Sequence, residues 1–247
     1  MTAVAIIPAR YASSRLPGKP LLRDTGKYLI QHVYEQVSHA ARLRQVIVAT
    51  DDERIVRAVK SFDGHARMTR SDHPSGTDRI AEIAAALGDE IIVNVQGDEP
   101  EIRPADIDRL VELLADQADC DIATLACPFG PDADPSDPNA VKVVVDRRGR
   151  ALYFSRGLIP YPRDTAGRPK EPGDCLLHLG IYAYRRTALM RLADTAPTPL
   201  EQQEKLEQLR ALESGMDIAV AVVGQAAPGI DTREDYAGFV ERCRAGG

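Results

Sequence analysis

Short apolar runs alternate with amphipathic segments through the first half of the chain. The runs lie at residues 4–7, 46–49, near 65–69 and at 91–95, and the first of them stops at Pro8. Segments with apolar residues on helical spacing begin near residues 29, 53, 79 and 104. Because runs that are apolar at nearly every position are typical of parallel strands covered on both faces, this alternation predicts a doubly wound α/β sheet.

The second half of the chain has a different pattern. Residues 140–145 and 151–154 flank a turn and predict an antiparallel hairpin, and the many prolines and glycines of 156–173 predict a long, mobile loop. The remaining predicted elements are a strand at 176–185, a helix at 200–213, a strand at 218–223 and a helix at 231–243. We therefore expect an antiparallel portion inserted into the doubly wound sheet.

Composition excludes several classes of partner. The chain has 31 Lys and Arg against 37 Asp and Glu, a net charge of −6, so it has no general attraction for nucleic acid or anionic membranes. Trp is absent and aromatic residues make up only 5% of the chain, which argues against stacking platforms for single-stranded nucleic acid. The four cysteines form no CxxC pair, which argues against a zinc ribbon or a disulfide framework. With no signal peptide and no apolar run of membrane-spanning length, we expect a cytoplasmic protein.

A local cluster of positive charge follows the first predicted strand of this acidic chain. The segment IIPARYASSRLPGKPLL places Arg10, Arg15 and Lys19, with two serines and Gly18, directly after a buried run. In an open α/β sheet, ligands bind beyond the carboxyl ends of the strands, where cations and backbone N–H groups suit a polyphosphate. A solvated basic loop is the alternative for this segment taken alone.

An acidic turn, QGDEP, follows the run at 91–95. Asp98 at a strand end suits Mg²⁺, which takes one or two carboxylates and completes its shell with water or phosphate oxygens. If the strand continues, Asn94, Gln96 and Asp98 project to one side. A helix N-cap explains the acidic residues equally well, although Gly97 slightly favours close approach of a ligand.

Two more turns resemble sites at strand ends. Thr232 with Asp235 predicts a helix cap, and Asp231 beside it is a candidate to share one cation with Asp98. The segment Ser75–Arg79 offers hydroxyls and a guanidinium, although capping is the stronger interpretation there. Neither GxGxxG nor GxxxxGK[ST] occurs, which argues against a Rossmann dehydrogenase or a P-loop NTPase.

Two segments of the second half carry candidate binding residues. Alternation along LHLGIY places His178, Gly180 and Tyr182 on one face, which indicates either a pocket for a hydroxylated small molecule or a structural histidine. The predicted helix at 200–213 carries an apolar seam suited to a core or a partner helix, formed by Leu206, Leu209 and Leu212.

Eight blocks in order carry a family resemblance. IPARYASSRLPGKPL, MTRSDHPSGTDR, NVQGDEP, NAVKVV, ALYFSR, HLGIYAYR, LEQLR and GIDT together resemble the sugar-acid cytidylyltransferases over nearly the whole chain. The resemblance implies a Rossmann-like nucleotide-diphospho-sugar transferase fold with three α/β/α layers. It also implies a single domain over residues 1–247: 1–130 mainly nucleotide-binding, 131–215 mainly sugar-binding and dimerisation, and 216–247 returning to the main sheet.

The resemblance also implies an activity. The anomeric hydroxyl of the sugar acid Kdo (3-deoxy-D-manno-octulosonate) attacks the α-phosphate of CTP with Mg²⁺ as cofactor, which gives CMP-Kdo for lipopolysaccharide biosynthesis and pyrophosphate. A homodimer is expected. HLGIYAYR and LEQLR favour Kdo, and the alternatives are another sugar acid, such as a sialic acid, or a non-catalytic nucleotide- or sugar-binding module.

The matching positions receive roles from the resemblance alone. The implied catalytic residues are Arg10, Lys19 and Asp98. The implied nucleotide contacts are Arg10, Ser13, Arg15, Lys19, Ser75, Gly76, Thr77 and Arg79. The implied sugar-acid contacts are Gln96, Arg156, His178, Tyr182, Glu207 and Gln208, and the implied metal ligands are Asp98 and Asp231. The chain departs from the family pattern at Tyr28, where proline is common, and residues 163–174 match no block.

Overall fold

The computed structural model describes residues 1–12, 16–130 and 133–245. Ser13 and Arg15, two of the implied nucleotide contacts, lie outside the described residues. The chain divides into two compact units, Met1–Asp108 with Ala227–Gly247 and, second, Arg109–Ala226. Across the described ranges, no helix combines the length and apolar character needed to cross a membrane.

The first unit is built on four parallel strands. In spatial order these are β3 (Ala66–Met68), β2 (Gln45–Thr50), β1 (Ala3–Ala9) and β4 (Ile91–Asn94). The helices of this unit are α1 (Leu29–Ser38), α2 (Glu53–Lys60), α3 (Gly76–Ala85) and α8 (Arg233–Ala245), and α4 (Pro104–Asp116) crosses the boundary between the units. Apart from Pro8, β1 is buried along its whole length, as expected for a central parallel strand.

Helices α1 and α2 follow the predicted pattern. The buried residues of α1 are Leu29, Ile30, Val33 and Val37, the positions that the helical spacing indicated. Tyr28 occupies the N-cap position of α1, where its ring lies 4.9 Å from the Arg23 guanidinium. Helix α2 begins after Asp52, whose carboxylate accepts a hydrogen bond from the Arg54 N–H at 2.8 Å.

Three boundaries in the first unit differ from the prediction. Strand β1 continues through Pro8 to Ala9; pairing with β4 ends at Ile6, so Pro8 lies where one neighbouring strand has already stopped. Helix α3 begins at Gly76 rather than near Arg79, because Ser75 caps it by accepting the Asp78 N–H. Strand β4 ends at Asn94, so the extended run from Asn94 to Asp98 does not form.

The second unit is mainly antiparallel. Strand β5 (Ile122–Pro128) pairs antiparallel with β8 (Leu176–Arg185) and parallel with β9 (Ile218–Val222). The predicted hairpin is confirmed as β6 (Lys142–Val145) and β7 (Ala151–Ser155), and β6 also pairs with β8. The helices are α5 (Arg186–Ala193), α6 (Pro199–Glu204) and α7 (Gln208–Glu213). The predicted mixed α/β fold, mostly parallel with some antiparallel strands, is confirmed.

The predicted continuous helix at 200–213 is wrong. Lys205 has a left-handed backbone, with φ 54° and ψ 46°, and separates α6 from α7. The Arg156 guanidinium donates to the carbonyls of Glu204 and Lys205, so a tertiary contact satisfies groups that a continuous helix would pair internally. Leu206 and Leu209 are buried within this unit, which makes the seam part of its core.

The cap of α2 is expected to contribute measurably to stability. Asp52→Ala removes the acceptor for the Arg54 N–H and should lower the free energy of unfolding by about 1 kcal/mol. Urea denaturation measures this loss. Glu53→Ala, which removes an exposed carboxylate from the same turn, is the control, and an equal loss in both variants would contradict a capping role for Asp52.

Candidate active site

Three segments of the first unit converge on the ammonium group of Lys19. Lys19 begins a short 3₁₀ turn beyond the end of β1, and its Nζ donates to Asp98 Oδ2 at 2.8 Å and to the Ile230 carbonyl at 2.7 Å. Asp231 Oδ1 lies 3.7 Å from the same nitrogen. The Lys19 ammonium thus contacts groups that lie 79 and 211 residues away along the chain.

Backbone contacts hold these segments together. The Ile230 N–H donates to the Asp98 carbonyl at 2.9 Å, which joins the loop after β4 to the turn before α8. A Cβ at Gly97 would lie 3.1 Å from the Pro8 carbonyl oxygen, closer than ordinary van der Waals contact. The close approach that Gly97 permits is therefore to the end of β1, a contact that the sequence did not indicate.

The two acidic turns use their side chains differently. Helix α4 begins at Pro104, so the alternative in which Asp98 and Glu99 cap a helix at Pro100 is wrong. In the second turn the predicted cap is confirmed: Asp235 Oδ2 accepts the Thr232 N–H at 2.8 Å, and Thr232 Oγ1 accepts the Asp235 N–H at 3.1 Å. The Asp231 carboxylate is outside this cap and faces Lys19.

The donor set at this cluster suits magnesium. Asp98 and Asp231 supply two carboxylates near one point, and Mg²⁺ is commonly bound by one or two carboxylates together with substrate phosphates. Within the described ranges, no three His, Cys, Asp or Glu side chains gather into a fuller ligand set. The residues therefore fit a cation shared with a phosphate, and the assignment of Asp98 and Asp231 as ligands stays a prediction.

Glu99 is a titratable group that the sequence analysis did not single out. It is partly buried beside this cluster, and burial together with the neighbouring Asp98 charge raises its pKa to about 7. The feature of the sequence that could have indicated Glu99 is the acidic pair Asp98-Glu99 shortly after a buried strand. Near neutral pH, this loop therefore combines Asp98 with a carboxyl group that is only partly ionised.

Arg10 links the end of β1 to the start of α3. Its Nη2 donates to the His73 carbonyl at 2.5 Å and lies 3.3 Å from the Ser75 carbonyl. The His73 imidazole in turn contacts the Glu82 carboxylate. Ser75 caps α3, whose first turn contains Gly76 and Thr77, so the structure brings these implied nucleotide contacts next to Arg10.

Arg79 has different surroundings from the other implied nucleotide contacts. Its side chain is fully buried, and its guanidinium donates to Thr69 Oγ1 and, at 3.0 Å, to Asp51 Oδ2. These partners follow β3 and β2, so Arg79 ties the carboxyl ends of both strands to α3. In this arrangement it positions the edge of the sheet, and direct contact with a nucleotide stays a prediction.

The implied sugar-acid contacts on β8 pack against one another. The rings of His178 and Tyr182 lie 5.5 Å apart, so they share a face as alternation predicted. His178 Nε2 lies 3.0 Å from Thr124 Oγ1, and its ring packs edge-on against Phe154. Burial lowers the pKa of His178 to about 3 and raises the pKa of Tyr182, so both side chains are neutral at physiological pH.

The other implied sugar-acid contacts lie on three segments. Glu207 occupies the N-cap position of α7 and Gln208 is its first residue, buried in the second unit. Arg156 follows β7 in the same unit, whereas Gln96 belongs to the first unit, in the loop after β4. Their roles toward a sugar acid stay predictions.

Cations and paired carboxylates lie beyond the ends of parallel strands, where open α/β proteins bind their ligands. Comparison with known proteins narrows this class. The family model described as Cytidylyltransferase matches residues 4–218. The chain therefore belongs to the cytidylyltransferase family.

Similar proteins within this family share one name. A 3-deoxy-manno-octulosonate cytidylyltransferase of Syntrophotalea carbinolica is 50% identical over 240 residues, which cover 95% of this chain and 96% of that protein. An enzyme of the same name from Escherichia coli is 48% identical over 93% of this chain and 91% of its own length. A solved CMP:2-keto-3-deoxy-manno-octonic acid synthetase complexed with CTP is 44% identical, covers both chains fully and has a TM-score of 0.93.

A more distant structure shares only the fold. It is 4-diphosphocytidyl-2C-methyl-D-erythritol synthase from Anaerococcus prevotii, which is 14% identical over 98% of both chains with a TM-score of 0.62. The fold is thus shared by proteins that differ widely in sequence.

The buried His178 is expected to make stability depend on pH. Its folded pKa lies below the ordinary value near 6.5, so between these values the unfolded chain binds a proton that the folded protein does not. The free energy of unfolding should therefore fall as the pH drops below about 6.5, by up to about 2 kcal/mol at pH 5. Urea denaturation at pH 7 and pH 5 measures the change.

The matched variant is His178→Asn, which removes the titrating ring and keeps a polar group near Thr124. We expect a smaller loss of stability between pH 7 and pH 5 in this variant. His65→Asn removes an exposed imidazole and should retain the full loss. If His178→Asn and the unaltered protein lose the same free energy, the neutral buried imidazole is not its source.

Proposed function

We propose that this chain transfers a cytidylyl group from CTP to Kdo and releases CMP-Kdo and pyrophosphate. The observation that carries the proposal is the convergence of Lys19, Asp98 and Asp231 beyond the parallel strands. The similarity to 3-deoxy-manno-octulosonate cytidylyltransferases over nearly the whole chain supports the identity of both substrates. The product is an activated sugar for lipopolysaccharide biosynthesis.

In this reaction, the anomeric hydroxyl of Kdo loses its proton to water, and its oxygen forms a bond to the α-phosphorus of CTP. The bond from that phosphorus to the bridging oxygen breaks, and pyrophosphate leaves with its electron pair. Such transfers depend mainly on positioning and on neutralising charge, with little covalent work for the protein. Lys19 and Arg10 are the cations that we assign to the triphosphate.

We assign Asp98 and Asp231 to magnesium. A bound Mg²⁺ would supply positive charge against the phosphate oxygens. Lys19 compensates the same two carboxylates, so it keeps like charges together at the place where the cation would be held. The chain's own contribution is thus a site organised before substrate arrives.

The sugar acid is assigned to Gln96, Arg156, His178, Tyr182, Glu207 and Gln208. Neutral His178 and Tyr182 side chains suit hydroxyl groups, since each can donate or accept a hydrogen bond. We further propose that the enzyme works in the cytoplasm as a homodimer. In the second unit, Leu152 is 62% exposed on β7, an apolar residue available to a second copy of the chain.

Pyrophosphate release tests the function directly. The purified chain with CTP, Mg²⁺ and Kdo should release pyrophosphate and form CMP-Kdo, identified by mass spectrometry. The same mixture with a sialic acid, or without any sugar acid, should release far less. Faster release with the sialic acid would indicate the other sugar-acid specificity, and CTP binding with no release in any mixture would indicate a non-catalytic module.

Asp98 is expected to be essential for turnover. Asp98→Asn keeps the size of the side chain and removes its charge, so kcat should fall by about a hundredfold or more while the melting temperature stays close to that of the unaltered protein. Steady-state assays at saturating Mg²⁺ measure this loss.

The matched control is Glu101→Gln in the same loop. Glu101 pairs with Arg242 and is outside the Lys19 cluster, so its turnover should be near that of the unaltered chain. Near-normal turnover in Asp98→Asn would remove this carboxylate from the catalytic site.

A further inference from the structure

A buried lysine that the proposed chemistry does not use lies in the second unit. Lys142, in β6, is 0% exposed, and its Nζ donates to the carbonyls of Asp137 at 3.0 Å, Ala140 at 2.6 Å and Arg156 at 2.6 Å. All three N–H groups of the ammonium therefore end on the main chain. Because each N–H group of the buried ammonium already donates to a carbonyl, Lys142 is suited to holding the main chain in place and not to binding a ligand.

Arg156 extends this network to the break between α6 and α7. Its Nη1 donates to the Pro138 carbonyl at 2.9 Å, and its Nε donates to the Glu204 carbonyl at 2.7 Å. Its Nη2 lies 3.4 Å from the carbonyl of Lys205, the residue with the left-handed backbone. Arg156 thus joins the 137–140 loop, which Lys142 also holds, to the end of α6.

The Glu204 side chain closes the network. Its carboxylate accepts from Ser155 Oγ at 2.7 Å and from the Arg156 N–H at 2.9 Å. We call the group of Lys142, Arg156 and Glu204 the cation clamp. Its hydrogen bonds join the main chain that follows β7 to the carbonyl and the carboxylate of Glu204 at the end of α6.

We propose that Lys142 is a positioning residue for the sugar-acid site, acting through Arg156 on the segment that leads into α7. The inference rests on the proposed function, which assigns Arg156, Glu207 and Gln208 to the sugar acid. Glu207 and Gln208 follow the α6–α7 break directly, so the clamp determines where this segment begins. The groups assigned to CTP lie on other segments, in the first unit.

The geometry predicts a selective defect. Removing the ammonium takes a donor from three carbonyls, of which the Asp137 carbonyl keeps the Ala140 N–H at 3.2 Å, and a carbonyl that loses its donor must move or find another partner. Arg156 and residues 204–208 would then lose their fixed position. Affinity for the sugar acid should fall, whereas affinity for CTP should change little.

Lys142→Met, which keeps the apolar stem and removes the charge, tests the proposal. We expect the KM for Kdo to rise about tenfold or more and the KM for CTP to change by less than about twofold. A role in stability alone would lower the melting temperature and the active fraction without altering one KM selectively. The control for lost stability is Ile218→Ala, which leaves a cavity at a buried position of β9 outside the clamp. In this variant the KM for Kdo and the KM for CTP should both stay unchanged.

Glu204→Gln is the second variant, for the case in which Lys142→Met fails to fold. It keeps the size of the side chain and removes the clamp's negative charge, and the same selective rise in the KM for Kdo is expected. If the folded Lys142→Met or Glu204→Gln variant changes the KM for Kdo and the KM for CTP equally, or changes neither, the proposal is overturned.

A measurement without substrate separates this inference from the proposed function. Hydrogen exchange of peptides covering residues 199–208 should be faster in the folded clamp variant than in the unaltered chain, and should be unchanged in Ile218→Ala. Unchanged exchange there in the clamp variant would overturn the positioning role. Absence of Kdo activity in the unaltered chain would instead overturn the proposed function.

Discussion

The site depends on one electrostatic arrangement, the Lys19 ammonium between two carboxylates. Asp98 and Asp231 carry like charges that repel each other when they are brought together, and Lys19 removes that cost by contacting both. The same nitrogen binds the Ile230 carbonyl, which joins the turn before α8 to the loop after β4. A cluster of this kind gathers the oxygen ligands suited to a cation before any phosphate is present, so little reorganisation is needed when substrate binds.

Buried and half-buried cations perform a related task elsewhere in the chain. Arg79 donates to groups that follow β2 and β3. Lys142 donates to carbonyls of the 137–140 loop and of Arg156, and Arg156 donates to the Glu204 carbonyl at the end of α6. Irregular segments at the ends of strands and helices carry main-chain carbonyls that no ladder satisfies, and burial makes an unsatisfied carbonyl costly. Long cationic side chains supply several donors at once. The segments that we assign to the substrates are therefore held by charge-assisted hydrogen bonds as well as by apolar packing.

Local pattern predicted the elements whose stability is local. The spacing of buried residues in α1, the start of α2 near residue 53 and the β6–β7 hairpin all follow from neighbouring residues, and the structure confirms them. Strand β5 and helix α5 were missed. Strand β5 contains several small residues, so its apolar signal is weak although it is central to the second unit, pairing with β8 and β9. The helix at 200–213 was predicted without its break because the Arg156 contact that satisfies the carbonyls there comes from 48 residues away.

By itself, the sequence determined the α/β class, the family and the chemical types available at the site: cations after the first strand, carboxylates in two acidic turns, and a polar face on β8. These depend on residue identity and short-range periodicity, which the chain carries directly. Only the tertiary structure decided that Asp98 and Asp231 face one ammonium, that Gly97 packs against the Pro8 carbonyl, and that Lys142 is a buried donor to three carbonyls. Each of these contacts depends on where separate segments meet in space, because hydrogen bonds and ion pairs act over a few ångströms whatever the distance along the chain.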